Sequence, residues 1–529
     1  MRSYLPQAVA ISLLLQLGVE AAALPPRDNS TGTCRKTKVA ILGAGVAGIT
    51  AAQALSNASV SDFVIIDRND YIGGRVTHTQ FGKKADGTPY TVELGANWFQ
   101  GLGVTNGPEN PIWTLGKKYG INNTYSNYSS IISYDEKGPS EYLELMDKWD
   151  EAYAVCQAES GDILTENLQD VSVRTGLSLA GWRPQKDMHA QAVEWWEWDF
   201  NAAQPPESSS LLFGVAGENA TFNYFSDENN FVWDQRGFNA MINGEANEFL
   251  KEGDDRLMLS KKVTTVDYSD NSVKVQLEDG SCIEADHAIC TFSLGVLQNE
   301  VVTFEPELPQ WKLEAIQSFS MSTYTKIFMQ FNETFWDENT QFFLYADPHE
   351  RGRYPVFQSL SGPGFHEGSN IIFVTVTADQ AYVVENQSDE ETKAEVMEVL
   401  RSMFPAVEIP EPTAFFYPRW NHQEWAYGSY SNWPVGVTLE RHQNLRANVD
   451  RLWFAGEATA PLFFGYLQGA WYEGQEAGQR VASLLGGDIY GENSGPMKNY
   501  EVLHGTTFED EYEDENGWDL DTFENNNAE

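Results

Sequence analysis

Gly43, Gly45 and Gly48 stand at the spacing Gly-x-Gly-x-x-Gly, and an acid, Asp67, follows 24 residues after the first of them. Residues of these types at this spacing can bind a dinucleotide. Gly43 permits a sharp turn, Gly45 lets the backbone approach a pyrophosphate, and Gly48 lets a helix close on a strand. The helix that starts there offers unpaired N–H groups and the positive end of its dipole to the phosphates. Asp67 would accept hydrogen bonds from ribose hydroxyls, and its charge argues against a 2′-phosphate. A second segment of similar character lies near the other end of the chain: Gly456-Glu457-Ala458-Thr459, then Gly465-Tyr466-Leu467-Gln468-Gly469. There Glu457 could hold further hydroxyls. A nicotinamide dinucleotide needs no second, distant segment, so the pair points to a flavin dinucleotide.

The glycines take their meaning from the elements around them. Residues 38–42 read as a short buried strand, 49–55 as a helix and 63–66 as a second strand, giving the order strand, turn, helix, strand, acid. Residues 273–278 and 281–286 alternate about Asp279-Gly280 and predict a tight hairpin; 287–291 predict another strand. Residues 322–331 predict a strand with Thr325, Ile327, Met329 and Phe331 on one face and Tyr324, Lys326, Phe328 and Gln330 on the other. By default a lone strand lysine is a solvated surface residue. Trp195-Trp196-Glu197-Trp198 reads as core packing. No internal repeat is evident.

Composition bounds the rest. The 529 residues carry 34 Lys plus Arg against 77 Asp plus Glu, a net charge of −43, with 42% hydrophobic and 13% aromatic residues. Such a chain has ample material for a core, repels nucleic acid and anionic lipid, and attracts cations. Part of the charge is local, since residues 505–529 hold ten acids and no Lys or Arg, which predicts an acidic disordered tail. At the other end, Arg2, an apolar run at 8–19 and Ala21-Ala22-Ala23 predict a secretory signal peptide over residues 1–23. That run is too short for the roughly 20 residues that span a bilayer. Seven Asn-x-Ser/Thr triplets, at Asn29, Asn57, Asn122, Asn127, Asn219, Asn332 and Asn386, agree with a secreted glycoprotein. The four Cys allow one or two bridges. Cys282 and Cys290 are close enough to suggest one, and are equally readable as buried thiols. No two His lie within four residues of each other and there is no Cys-x-x-Cys, so no metal site is expected.

Taken in order, residues 43–48, Asp67, Gly73-Gly74-Arg75, Gly95-Ala96-Asn97-Trp98 and Gly456-Glu457-Ala458-Thr459 resemble the flavin-containing amine oxidases, most nearly the secreted polyamine oxidases of plants and fungi. The likeness covers most of residues 36–485 and is weak across 122–222. It implies an α/β (mixed α+β) fold in two domains. A Rossmann-like FAD-binding domain would be assembled from residues 36–121, 231–303 and 413–488, and a substrate-binding domain with a mixed sheet and flanking helices from 122–230 and 304–412. Non-covalent FAD would be held by Gly43, Gly45, Gly48, Asp67, Gly74, Arg75, Gly95, Ala96, Asn97, the backbone at Val263, Trp420, Glu457 and Tyr466. No Cys lies near Tyr430, where the monoamine oxidases attach their flavin.

The resemblance also reverses the reading of Lys326, which matches a lysine that reaches flavin N5 through a water, with Tyr324 as an active-site tyrosine beside it. Tyr430 and Tyr466 match an aromatic pair that flanks the substrate, faces suited to methylenes and distal ammonium groups. Trp98 and Gln100 complete the expected substrate site. The implied reaction converts spermine, spermidine or acetylated forms, with O₂ and water, to an aldehyde, a shorter amine and H₂O₂. A monomer with no membrane span and no nucleic-acid partner is expected. One position departs: the secreted plant enzymes carry an acid two residues after the Gly-Ala-Asn-Trp tryptophan, where this chain has Gln100. An amide gives up a direct ion pair with an ammonium, so another primary or secondary amine is the alternative substrate. An L-amino-acid oxidase would need an Arg aimed at the substrate carboxylate, and sequence alone places none of Arg351, Arg353 and Arg419 there. Lys326, Glu457 and both tyrosines speak against a non-catalytic flavin-fold protein.

Overall fold

The strand Arg35–Leu42, here β1, is buried without interruption from Val39 to Leu42. A strand apolar on both faces belongs in the middle of a covered parallel sheet. The computed structural model, which describes residues 33–105, 107–166, 168–222, 224–488 and 499–504, places it there. The expected leader, Asn29 and the acidic tail lie outside the described residues. β1 runs parallel to Phe63–Ile66 (β2) on one side, with Leu42 beside Ile66, and to Cys282–Cys290 on the other, with Leu42 beside Cys290. The sheet order is Leu257–Met258, β2, β1, Cys282–Cys290, Val273–Leu277, Val263–Asp267, Thr303–Glu305, and Leu452–Phe454 pairs additionally with Cys282–Cys290.

The hairpin forms as expected, but the separate strand expected over 287–291 does not. Cys282–Cys290 is one nine-residue strand. Its first half pairs antiparallel with Val273–Leu277 and its second half parallel with Leu452–Phe454, while β1 runs along its other edge. The change of pattern near Asp286 therefore marks a change of neighbour, from hairpin partner to buried parallel strand. The suggested Cys282–Cys290 bridge is also overturned. The two residues end the same extended strand, about 26 Å apart at roughly 3.3 Å per residue, and Cys282 is bonded to Cys34 instead. Cys156 and Cys290 are buried free thiols.

Helix Val46–Asn57 (α1) leads out of β1 and packs along Leu467–Leu484. Small residues make this approach close. A Cβ on Gly474 would meet Ala47 O at 2.2 Å, and one on Gly478 would meet Ala51 O at 2.6 Å. Two segments more than four hundred residues apart in the chain thereby cover one face of the sheet.

The second large sheet has the order Ala414–Phe416, Tyr324–Gln330, Ile371–Thr377, Val356–Ser359, Phe342–Tyr345, Ile131–Asp135, Gly138–Pro139. Every residue of Tyr324–Gln330 is buried. Ile327, Met329 and Phe331 pack with Val374, Val376 and Tyr417, whereas Phe328 packs on the other side with Phe81, Val92 and Phe231, so the two expected faces form. The fold is mixed α/β, a Rossmann-like sheet built from discontinuous segments beside a second, mixed sheet. Ala414–Phe416, two residues past the expected boundary at 412, pairs with the second sheet. The tryptophan run forms a π-turn, Trp195–Asp199, with Trp195, Trp196 and Trp198 in the core. No helix among the described residues is long and apolar enough to cross a membrane.

Candidate active site

The turn after β1 shows which glycines the protein itself requires. Gly43 has φ +125°, and a Cβ there would meet Thr291 Oγ1 at 2.3 Å. A Cβ on Gly48 would meet Gly43 O at 1.9 Å, so Gly48 packs helix on turn and does not line the cleft. Gly45 differs. Its φ is −73°, and a Cβ there would find nothing nearer than Gly74 Cα at 3.9 Å. Gly456 likewise has extended backbone and nothing within 4 Å of a Cβ. Neither needs to be glycine for the protein's sake. Both border one cleft, as they must if a ligand backs onto the main chain.

That cleft encloses about 1820 Å³, its open mouth included. Of the expected residues, Gly43, Gly45, Asp67, Gly74, Arg75, Gly95, Ala96, Asn97, Trp98, Gln100, Val263, Tyr324, Trp420, Tyr430, Glu457 and Tyr466 line it. Asp67, at the end of β2, accepts hydrogen bonds from Ala44 N at 2.7 Å and Asn69 N at 2.8 Å. Burial raises its carboxyl pKa while those backbone bonds oppose the shift. A carboxylate has about four acceptor sites, so two remain for ribose hydroxyls. Glu457 Oε1 meets Arg75 at 2.8 Å, and its Oε2 accepts from Ser431 Oγ at 2.6 Å and Gly465 N at 2.9 Å. Trp420 Nε1 is buried beside the cleft with no hydrogen-bond partner. An unpaired donor, two bare glycines and a helix N-terminus fit a bound FAD.

Lys326 is fully buried yet does not line the cleft. Its Nζ donates to Gly95 O at 2.9 Å and to Asn97 Oδ1 at 2.8 Å, behind the wall formed by Gly95 to Trp98. Asn97 is itself fixed, because its amide N–H donates to Val232 O at 2.8 Å. Burial favours the neutral amine of Lys326 and pushes its pKa down. Glu93 stands close enough to act on that charge; burial raises its carboxyl pKa. One Glu93 oxygen accepts from Phe238 N at 2.7 Å and the other has no partner.

The far end of the cleft is aromatic. Tyr324 lies 6.2 Å from Tyr430 and 5.9 Å from Phe200, centroid to centroid. The Tyr430 hydroxyl donates to Asn201 O at 2.8 Å, and Trp98 Nε1 donates to Ser126 Oγ at 3.1 Å. Tyr128, Phe200 and Asn201 line this end and were not expected from sequence. The only local signal was the tryptophan run, which places Phe200 and Asn201 at its exit. None of Arg351, Arg353 and Arg419 lines the cleft; Arg351 is held by Asp199 at 2.7 Å through both of its terminal nitrogens.

A dinucleotide turn and a distant strand-to-helix segment meeting across one cleft define a flavin-dependent oxidoreductase, with FAD as cofactor. Residues 46–482 match the flavin-containing amine oxidoreductases, and the chain belongs to that family. It is 36% identical over 489 residues to polyamine oxidase 1 of Zea mays, covering 88% of this chain and 92% of the relative. It is 37% identical over 486 residues to polyamine oxidase 7 of Oryza sativa subsp. japonica, covering 89% and 99%. Among solved structures, wild-type putrescine oxidase bound to putrescine matches with a TM-score of 0.65 at 18% identity, over 86% of this chain and all of that one. The chain is an FAD-dependent amine oxidase.

Proposed function

We propose that the enzyme is a secreted, monomeric polyamine oxidase that converts spermine, spermidine or their acetylated forms, with O₂ and water, to an aldehyde, a shorter amine and H₂O₂. The observation that carries this reading is the aromatic end of the cleft, where Tyr324, Tyr430, Tyr466, Trp98 and Phe200 border one space. Aromatic faces suit an alkylamine, through contact with methylenes and cation–π attraction to ammonium groups. The likeness to plant polyamine oxidases supports the same substrate class. The Cys34–Cys282 bond supports passage through an oxidising compartment.

FAD bound in the cleft supplies the electron acceptor for oxidation of the carbon next to nitrogen. The chain's own work is positioning and proton management. Tyr430 and Tyr466 hold the alkyl chain, and the ring of aromatics excludes water from the reacting end. Lys326 holds a proton at Nζ on a site fixed by Gly95 O and Asn97 Oδ1, and its depressed pKa makes that proton easier to give up than an exposed lysine's.

Gln100 supports a second reading, a less cationic primary or secondary amine, because it offers no charge to an ammonium. Among the described residues no free arginine lines the cleft to hold a carboxylate: Arg68 meets Glu424 at 3.2 Å and Arg75 meets Glu457. This counts against an L-amino-acid oxidase. The test is peroxide release by the purified yellow enzyme across spermine, spermidine, N-acetylated forms, monoamines and L-amino acids. Polyamines should give the highest kcat/KM; faster flavin reduction by monoamines or amino acids would reject the reading.

A further inference from the structure

Among the described residues, every carboxylate that lines the main cleft already has protein partners. Asp67 accepts from two backbone N–H groups and keeps its remaining acceptor sites for ribose hydroxyls, Glu457 is held by Arg75 and Ser431, and Glu424 lies 3.2 Å from Arg68 and 3.8 Å from Lys262. At the aromatic end the polar side chains are amides, Gln100 and Asn201, and phenols. A polycation would therefore reach this end and find no unpaired counter-charge there among the described residues.

A smaller cavity of about 460 Å³, mouth included, adjoins it, and Asn201, Tyr430 and Tyr466 border both spaces. Among its described lining residues Glu218, on helix Leu211–Phe222, is the one acidic or basic side chain. Its Oε2 accepts a hydrogen bond from the Tyr153 hydroxyl, and no ion pair to it occurs among the described residues. Burial raises the Glu218 pKa to about 7 against the opposing hydrogen bonds of the neutral Tyr153 and Asn201 side chains, and no cation among the described residues acts on it. A buried carboxylate held only by neutral donors is costly, and an entering cation relieves that cost. Glu197 stands near enough to feel the Glu218 charge and supplies no cation to offset it. The aromatic walls, Trp198, Tyr430, Phe464 and Tyr466, would stabilise an ammonium in the same place.

We propose that Glu218 is the anchor of an ammonium subsite in this side cavity, which takes the far cationic end of a diamine or polyamine whose reacting nitrogen lies in the main cleft. The assignment rests on the polyamine reading above and locates the charge that Gln100 does not supply. Glu218 thus sets substrate specificity and takes no part in the chemical step.

The test compares flavin-loaded wild type, Glu218→Gln and Glu218→Asp on 1-aminobutane, 1,4-diaminobutane, spermidine and spermine, each as substrate or as competitive inhibitor. Glu218→Gln should raise KM or Ki tenfold or more for the amines with a second nitrogen, leave kcat within about twofold and leave 1-aminobutane unchanged. Glu218→Asp should recover part of the lost affinity. Equal losses for the monoamine and the polyamines, or no loss for either, would overturn the subsite while the polyamine reading stands. If Glu218→Gln fails to retain flavin, Glu218→Asp decides alone by the same contrast, with a smaller effect. A wild type that oxidises no polyamine overturns the substrate reading, and the subsite with it.

Discussion

Arg75 and Glu457 are 382 residues apart in the sequence, and their side chains meet at 2.8 Å. Arg75 also donates to Ser429 O at 2.9 Å, and Glu457 also accepts from Ser431 Oγ and Gly465 N. One ion pair therefore joins the Gly73-Gly74-Arg75 turn to both C-terminal segments of the cleft wall. Arg75→Ala leaves a carboxylate 7% exposed with neutral donors only. The expected loss is about 2–3 kcal/mol, below the usual range for a buried pair because Arg75 is partly solvated. FAD content should fall with it. Urea midpoints and visible absorbance per protein check both, and unchanged values would show the pair to be incidental.

The glycine contrast gives a sharper outcome. Gly45→Ala places a methyl where no protein atom lies within 3.9 Å, so the chain should fold with native far-ultraviolet circular dichroism yet be purified colourless. Gly48→Ala drives a methyl to 1.9 Å from a carbonyl oxygen and should fail to fold. A yellow Gly45→Ala protein would remove the argument that this space belongs to a cofactor.

Lys326→Met keeps the volume and apolar stem of the side chain while removing the proton site at Nζ. Flavin should remain bound, and anaerobic reduction by a polyamine should slow on the order of a hundredfold. Rapid-mixing absorbance reads the rate directly. If reduction proceeds at the wild-type rate, Lys326 is structural.

Lys312 gives a stability prediction with a definite sign. It is fully buried, its Nζ donates to Asn444 O at 2.8 Å and Leu445 O at 2.7 Å, and burial holds its pKa well below the ordinary 10.5. Below the depressed folded value both states carry the proton and the folded state bears the whole cost of a buried charge. Between that value and 10.5 the unfolded chain binds more protons, so this residue's contribution improves as pH rises. The stability of Lys312→Met relative to wild type should therefore fall with rising pH. Parallel urea-midpoint curves for the two proteins would refute the assignment.

What sequence reveals here follows from how local each signal is. The turn at Gly43 to Gly48, Asp67 at the end of β2 and the two faces of Tyr324–Gln330 depend on neighbours a few residues away, and all were legible. Lys326 was legible as a candidate only through resemblance, since nothing local distinguishes it from a surface lysine; its burial comes from Gly95 and Asn97, more than two hundred residues earlier. Tyr128, Asn201 and Glu218 had no motif, because a helix exit and a helix face become cavity walls only when the second sheet packs. The Cys34 bond was hidden for the same reason. Cys34 meets Cys282 because β1 pairs with that strand, aligning Arg35 with Ile283, a register no spacing rule encodes.

That bond closes a covalent loop with a sequence separation of 248. Gly43, Asp67, Arg75, Gly95, Asn201 and Glu218 lie on the loop, whereas Lys326, Tyr430, Glu457 and Tyr466 lie beyond it. A single nick by a protease between Cys34 and Cys282 leaves the molecule in one piece until it is reduced. A nick between Cys282 and Lys326 severs the chain outright, with one wall of the cleft on each fragment, and non-covalent contacts alone, among them α1 against Leu467–Leu484, the sheet pairing, the Arg75–Glu457 contact and the Lys326 bonds to Gly95 and Asn97, then hold the two walls together.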